Sequence, residues 1–408
     1  MVESMRYVLD LVVPGGLVWF AALMLLRPGV LPDSALPVLW VFPSAVWGIG
    51  ILLGWYFNHT RVVFAILILA LAEQSLERFG LNNQMTGGPA GIVLGAVALL
   101  LPLNLVGFSL VRERGLFTGR GLMRLALILS QVLLVAFICR PSQHDLANLL
   151  QYRLFDLSLW AWTPLPLPSL VAFAAGLVLL MIRFFLQRDP IERGFVWALV
   201  AAFTGLQVGP AGWDTGLFLA AAGLVLAVSV IETSYRLAYH DELTGLWGRR
   251  ALREDLMKLG SQYALAMVDI DYFKRINDRY GHAVGDQILR MVASTLERVS
   301  GGGTAYRYGG EEFTLVFAGQ TAADVMPHLE TLRKAVEAAC FVLRGPDRPR
   351  EKPDKPKSKS GPQNAVQVTV SIGVADRNEQ RRRPEQVITA ADRALYRAKN
   401  AGRNRVKL

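Results

Sequence analysis

Residues 305–317, AYRYGGEEFTLVF, set two glycines and two glutamates between runs that alternate apolar and polar side chains. The aromatic and β-branched flanks predict a β-hairpin. Gly309 and Gly310 would form a two-residue connection with positive φ at both central positions, placing Glu311 and Glu312 at the tip. Successive strand side chains point to opposite faces, so the two carboxylates need not share one task, and bare glycine backbone lets a ligand come close. Alone, such a sequence is an ordinary solvated turn. Partners come from YALAMVDIDYFKRINDRYGHAVGDQIL, residues 263–289, where an apolar strand from Ala264 to Val268 ends in Asp269, Ile270 and Asp271. Strand-end acids together with an acidic hairpin tip make an oxygen-rich set suited to Mg²⁺, which leaves other positions to water or phosphate. No histidine or cysteine lies beside these acids, which argues against zinc. Acids that bind a metal, which in turn binds phosphate, also account for such a cluster in a chain of formal net charge +10.

Downstream, Tyr272 to Tyr280 reads as a short helix stopped by Gly281, and Ile288, Leu289, Val292 and Leu296 form the buried stripe of the next. Asn277 and Asp286 flank the turn between them. A carboxylate accepting from N1–H and the exocyclic amine fits the edge of guanine, and an asparagine amide can serve the same base; adenine would leave that carboxylate unpaired. Each residue is equally suited to ending a helix. TVSIGVA (369–375) reads as a strand, and ADRALYRAKNAGRNRV as a helix whose C-terminal end sets Lys399 and Arg403 four apart on one face. Cations there complement the helix dipole and would equally hold a triphosphate. The Gly-x-x-x-x-Gly-Lys-Ser/Thr pattern of Walker-type enzymes is absent.

The elements that carry these residues occupy only part of the chain. At 408 residues, with 52% of them hydrophobic, the protein is too long for one typical domain and too apolar for an ordinary soluble one. Residues 1–233 are apolar runs broken by short loops, whereas 234–408 have ordinary globular composition. Stretches able to cross a hydrocarbon core fall near 7–26, 36–57, 62–78, 90–111, 122–139, 169–187, 194–209 and 213–233, which predicts an α-helical membrane bundle of about eight spans. Arg112, Arg114, Arg120 and Arg124 after the fourth span, and Arg183, Arg188 and Arg193 around the end of the sixth, put those loops in the cytoplasm, with both termini on the same side. Asp10, Glu73 and Gln74 lie near span ends and read as interfacial. Residues 140–168, with Trp160 and Trp162, suit the opposite membrane interface. An uninterrupted run from Leu224 through Asp241 predicts a helix connecting the two halves, and the Pro-, Lys- and Ser-rich stretch 344–364 reads as a flexible insertion. Cys139 and Cys340 lie far apart and define no disulfide or zinc pattern.

In order along the chain, DELTGLWGRR (241–250), DIDYFKRINDRYGHAVGD (269–286), RYGGEEF (307–313), VSIGVA (370–375) and ALYRAKNAGRNRV (394–406) resemble the GGDEF-domain diguanylate cyclases, over roughly Asp241 to Val406. The resemblance implies an α/β fold of nucleotide-cyclase and polymerase-palm type, and an enzyme that joins two GTP into cyclic di-GMP with release of two pyrophosphates. It implies metal binding by Asp269, the Ile270 carbonyl, Glu311 and Glu312, with Mg²⁺ or Mn²⁺ as the ion. Glu311, Glu312 and Lys274 would serve catalysis, Asn277 and Asp286 would read guanine, and Phe273, Lys274, Lys399 and Arg403 would hold phosphates, with Gly309 and Gly310 beneath the nucleotide. One domain holds one GTP, so the resemblance also implies a homodimer, paired through these domains and the connecting helix. It further implies contact with membrane lipid, no nucleic-acid partner and residence in a bacterial inner membrane under an unknown signal.

Two departures stand out. Gly248 occupies a position where the family usually has asparagine, and Ser300 to Gly303 occupy the place of the Arg-x-x-Asp motif through which many members are arrested by product. Little product inhibition is expected through that surface. Two rival readings follow from the same residues. The domain could be an inactive receptor for GTP or cyclic di-GMP, against which stand the intact Asp269, Glu311, Glu312 and Lys274. A transporter-like membrane half with an accessory cyclase would call for polar residues along several spans, and few are present.

Overall fold

The computed structural model describes residues 11–27, 30, 32, 34, 36–80, 88–140, 163–208, 213–342 and 365–408. The expectations for Asp10, for the Trp160 and Trp162 segment and for the 344–364 insertion lie outside these residues. Contacts divide the chain into two compact units, Met1–Ser234 and Tyr235–Leu408.

The first unit is helical: α1 (Gly15–Leu25), α2 (Leu36–Tyr56), α3 (Thr60–Gly80), α4 (Gly88–Leu110), α5 (Gly119–Ile138), α6 (Leu167–Gln187), α7 (Pro190–Val208) and α8 (Trp213–Tyr239), the last continuing into the second unit. Among the described residues five helices, α4 to α8, are long and apolar enough to cross a membrane, where the sequence predicts about eight spans. Helix α3 has the length but carries Arg61, Glu73, Glu77 and Arg78, and the apolar stretches in α1 and α2 are shorter. Glu73 is not a solvated interfacial acid: its Oε2 accepts from the Trp47 indole at 2.6 Å, joining α3 to α2.

Charges gather at one end of these helices and satisfy one another. Glu192, fully buried, accepts from Arg61 Nη1 at 2.8 Å and from Arg183 Nε and Nη2 at 3.0 and 2.8 Å. Arg61 also donates to Glu113 at 2.9 Å, and Arg193 pairs with Glu232 of α8. Burial pushes the Glu113 carboxyl up, but the nearby His59, the bonds from Arg61 and Thr60 and the charge of Arg61 outweigh it and hold the group at about 2. An unpaired charge in such a place would be costly, so each of these groups depends on its partners.

An internal likeness also emerges. The sequence of buried, half-buried and exposed positions over residues 51–70 is identical, position for position, to that over 181–200. Asn58 and Arg188, equivalent in this alignment, both take left-handed φ, 59° and 52°, where α2 turns into α3 and α6 into α7. Almost no residue identity accompanies this correspondence.

The second unit is built on a mixed six-stranded sheet. Its strands and helices are β1 (Trp247–Gly248), α9 (Arg249–Lys258), β2 (Tyr263–Ile270), α10 (Phe273–Tyr280), α11 (His282–Leu296), β3 (Thr304–Gly309), β4 (Glu312–Ala318), α12 (Ala322–Ala338), β5 (Cys340–Val342), β6 (Ala365–Gln367), β7 (Val370–Asp376), α13 (Pro384–Asn400) and β8 (Val406–Lys407). The order is β1-β3-β4-β2-β7-β8, with β1–β3 and β7–β8 parallel and the other pairs antiparallel; β5 and β6 form a separate ribbon. Central β2 alternates strictly. Ala264, Ala266, Val268 and Ile270 pack toward α10, α11 and α12, and Tyr263, Leu265 and Met267 toward α9 and α13. Helix α13 lies so close on β7 that a Cβ at Gly373 would collide with Leu395 N and Ala391 O, which fixes the helix that carries Lys399.

Glu192→Ala removes the shared acceptor and leaves Arg61 and Arg183 underpaired, at a cost of about 3–5 kcal/mol. Thermal melting of the full chain in detergent, read by tryptophan fluorescence, should show a clear fall. Arg250→Ala, which breaks an exposed pair with Glu254 on α9, should leave the curve where it was.

Candidate active site

The acidic turn differs from its predicted geometry. Gly309 is a strand residue paired with Glu312, after a register irregularity that begins at Arg307, so the central turn residues are Gly310 and Glu311. Only Gly310 takes positive φ, 52°, as a connection with glycine at its first central position requires. Glu311 therefore occupies the tip, while Glu312 opens β4 directly opposite Asp269 of β2.

Asp269, 5% exposed, accepts from Lys399 Nζ at 2.8 Å on Oδ2. Burial raises the Asp269 carboxyl, and the charge of Asp271 adds to this, while Lys399 and Arg403 pull it down without cancelling the rise. Glu311 and Glu312 are also raised, first by burial and then by the charge of Asp269. Three carboxylates thus hinder one another's ionisation around one strand end. Among the described residues no three acids, histidines or cysteines converge closely enough to cage a metal alone. An all-oxygen set short of positive charge still fits a hard divalent cation that takes one or two carboxylates from protein and the rest from phosphate and water.

The predicted phosphate holders are placed differently from one another. Lys399 stands in the last turn of α13, but Arg403 lies beyond the helix, in left-handed backbone at φ 63°, so the two do not share a helical face. Its guanidinium lies over the Tyr272 ring, 4.4 Å from the centroid. Phe273 is buried in the core at the start of α10, so only its main chain is available to a ligand, whereas Lys274 is exposed. Helices α10 and α11 pack together across Gly281, φ 83°, and bring Asn277 against Gly285, next to Asp286. The buried Asn277 Oδ1 has no hydrogen-bond partner there, and any side chain at 285 would strike it.

A family model described as "Diguanylate cyclase, GGDEF domain" matches residues 238–405. Residues 238–405 are a GGDEF domain. The chain is 39% identical over 173 residues to Diguanylate cyclase VdcA of Vibrio cholerae, covering 41% of this chain and 46% of that protein. It is 33% identical over 184 residues to Response regulator PleD of Caulobacter vibrioides, covering 43% and 37%. The chain thus spans less than half the length of these curated relatives. Among solved structures, the coiled coil and GGDEF domain of DgcB from Caulobacter crescentus in complex with c-di-GMP shares 34% identity at a TM-score of 0.37, over 43% of this chain and 88% of that one.

Within the GGDEF domain, a clamp absent from the sequence reading holds the hairpin. Arg307 donates through Nε and Nη2 to the Gly310 carbonyl, at 3.3 and 2.8 Å, and through Nη1 to Asp241 Oδ1 at 2.7 Å. Asp241 also accepts from Thr244 N and Oγ1 at 2.8 and 2.7 Å. Burial pushes the Asp241 carboxyl up, but the Thr244 and Arg307 bonds outweigh it and bring the group below its ordinary value. Both residues lay in the quoted motifs, and only the fold shows that their spacing of many residues closes to one contact.

The raised Glu311 carboxyl makes a signed prediction. Its stabilising proton is lost as pH rises from the ordinary glutamate value, about 4.3, through the raised one. In chelator at pH 8, Glu311→Gln should therefore melt above the wild type, and the gap should narrow toward pH 5. Mg²⁺ should raise the wild-type midpoint more than that of the variant. Differential scanning fluorimetry checks both, and equal responses to Mg²⁺ would remove the cation from this site.

Proposed function

We propose that this protein is a membrane-bound diguanylate cyclase, condensing two GTP into cyclic di-GMP and two pyrophosphates. The observation that carries the reading is the grouping of Asp269, Glu311 and Glu312 with Lys399 at one sheet end of a GGDEF domain. In this reading residues 1–233 form a multi-span sensory region of about eight spans in a bacterial inner membrane, with both termini cytoplasmic. Residues 234–408 form the catalytic region, joined to it by the connecting helix.

Asp269, Glu311, Glu312 and the Ile270 carbonyl would hold Mg²⁺ or Mn²⁺, which when bound supplies charge neutralisation at the attacking and leaving oxygens. The 3′-oxygen of one GTP forms a bond to the α-phosphorus of the other as the bond from that phosphorus to the pyrophosphate oxygen breaks. Glu311, its carboxyl already raised by burial and by Asp269, takes the hydroxyl proton. Lys274, Lys399, Arg403 and the main chain at Phe273 hold the phosphates, with the cations neutralising the departing pyrophosphate. Gly309 and Gly310 leave room for the nucleotide. Asp286 accepts from the guanine donors, and the Asn277 amide serves the same base from the neighbouring helix. Each domain binds one GTP and must face a second, so the working species is a homodimer.

The full chain in lipid nanodiscs, given GTP and Mg²⁺, should release cyclic di-GMP and pyrophosphate, identified chromatographically. Glu311→Ala should retain under about a tenth of the rate, consistent with loss of a positioned acid–base group. Asp286→Ala should weaken GTP binding by about 1–3 kcal/mol and lower the preference for GTP over ATP. A wild-type chain that binds GTP without turnover would instead make the domain a receptor.

A further inference from the structure

Sequence order alone makes Asp271 look like a companion metal ligand, two residues beyond Asp269. The fold turns it away from that task. Its carboxylate is 4% exposed and fully engaged: Oδ1 accepts from Ser371 Oγ at 2.7 Å, and Oδ2 from Thr369 Oγ1 at 2.8 Å and from the main-chain N–H of Asn404 at 3.1 Å. Two of these partners belong to the start of β7 and its approach, and the third belongs to the loop that follows α13.

That loop is held in an unusual form. Gly402, Arg403 and Asn404 all take positive φ, 111°, 63° and 46°; asparagine tolerates left-handed backbone, but for Arg403 it is strained. Such a run persists only when its surroundings fix it. Asn404 is fixed three ways: Asp271 takes its N–H, Arg333 Nη1 donates to its Oδ1 at 2.7 Å, and its Nδ2 donates to Glu337 Oε1 at 2.7 Å. Arg333 and Glu337 both stand on α12 and bond each other at 2.7 Å. The neighbouring Arg403 presents its guanidinium over Tyr272, toward the end of β2 where Asp269 feels its charge.

We infer that Asp271, through Asn404, is a positioning residue for Arg403: it holds the strained loop so that this guanidinium meets the terminal phosphates of the nucleotide. The inference rests on the proposed use of GTP. Asp271→Ala removes both carboxylate oxygens, so the Asn404 N–H loses its partner and the loop is free to relax. The effect falls on the triphosphate end of the ligand and spares the base end, which Asn277 and Asp286 occupy separately.

The test uses the full chain in detergent with Mg²⁺ and two ligands that cannot be cyclised, α,β-methylene GTP and GMP, with affinities measured by calorimetry. The wild type should prefer the triphosphate. Asp271→Ala should lose about ten-fold or more in affinity for α,β-methylene GTP and keep GMP binding within about two-fold. In an Arg403→Ala background the same substitution should change neither affinity by more than about two-fold, since coupled residues fail to add. Asn404→Ala leaves the Asp271 carboxylate in place and should reproduce the selective loss, which covers the case of an Asp271 variant that does not fold. Equal weakening of both ligands, or independent effects of Asp271→Ala and Arg403→Ala, would overturn the inference while leaving the cyclase reading intact. A wild type that binds neither ligand would overturn the cyclase reading and this inference with it.

Discussion

Burial of strand β2 on both faces is the constraint on which the rest of the catalytic unit depends. All eight of its residues are buried, so the charged groups near its end cannot escape to solvent by rotating across the sheet. Asp269 is held within the strand, opposite Glu312 on one neighbour and Ser371 on the other. An ionised carboxylate in that position has to be met by cations or donors. Lys399 arrives on α13, whose approach depends on the missing side chain at Gly373. The acid is thus partnered by a helix that the same sheet positions.

The two aspartates near the end of β2 show how one local sequence yields two different environments. Asp269 faces other carboxylates and is raised, whereas Asp271 faces hydroxyls and a main-chain N–H and is spent entirely on structure. Donors inside the fold satisfy the second acid completely. The first acid has Lys399 as its partner and two further carboxylates, Glu311 and Glu312, close by. A structural acid and a ligand-facing acid are distinguished here by whether the surrounding protein finishes the hydrogen bonding.

Much of this was legible in sequence because it depends on local pattern. The apolar strand from Ala264 to Val268, the helix stop at Gly281 and the acidic hairpin follow from side-chain pattern and glycine backbone freedom. Three features were not legible, each for a physical reason. Arg403 continues a good helical pattern, yet α13 ends at Asn400 because the main chain beyond is captured from outside the helix by Asp271 and α12. Gly309 looks like a turn residue, but the register irregularity in β3 moves the turn on by one. The matching burial of 51–70 and 181–200 leaves almost no trace in residue identity, since an apolar helix face is satisfied by many combinations of Leu, Val, Ile, Ala and Phe. Two of the charges in α3 are met by neighbouring helices, Glu73 by the Trp47 indole and Arg61 by Glu192, which only the fold shows.

The Arg307 clamp bears on how such a site is controlled. Its ion pair with Asp241 is partly exposed, at 14% and 24% for the two side chains, so it contributes little to stability compared with the buried sheet. Its influence is positional. The same guanidinium that meets Asp241 also holds the Gly310 carbonyl, one residue before Glu311, and Asp241 lies two residues after the end of α8. One side chain thus ties the chain at Asp241 to the acidic tip, apart from the core that β2 anchors. Interactions of low cost and high geometric leverage are where a domain can be adjusted without being unfolded, because the free energy needed to move between arrangements is small beside that which holds the fold together.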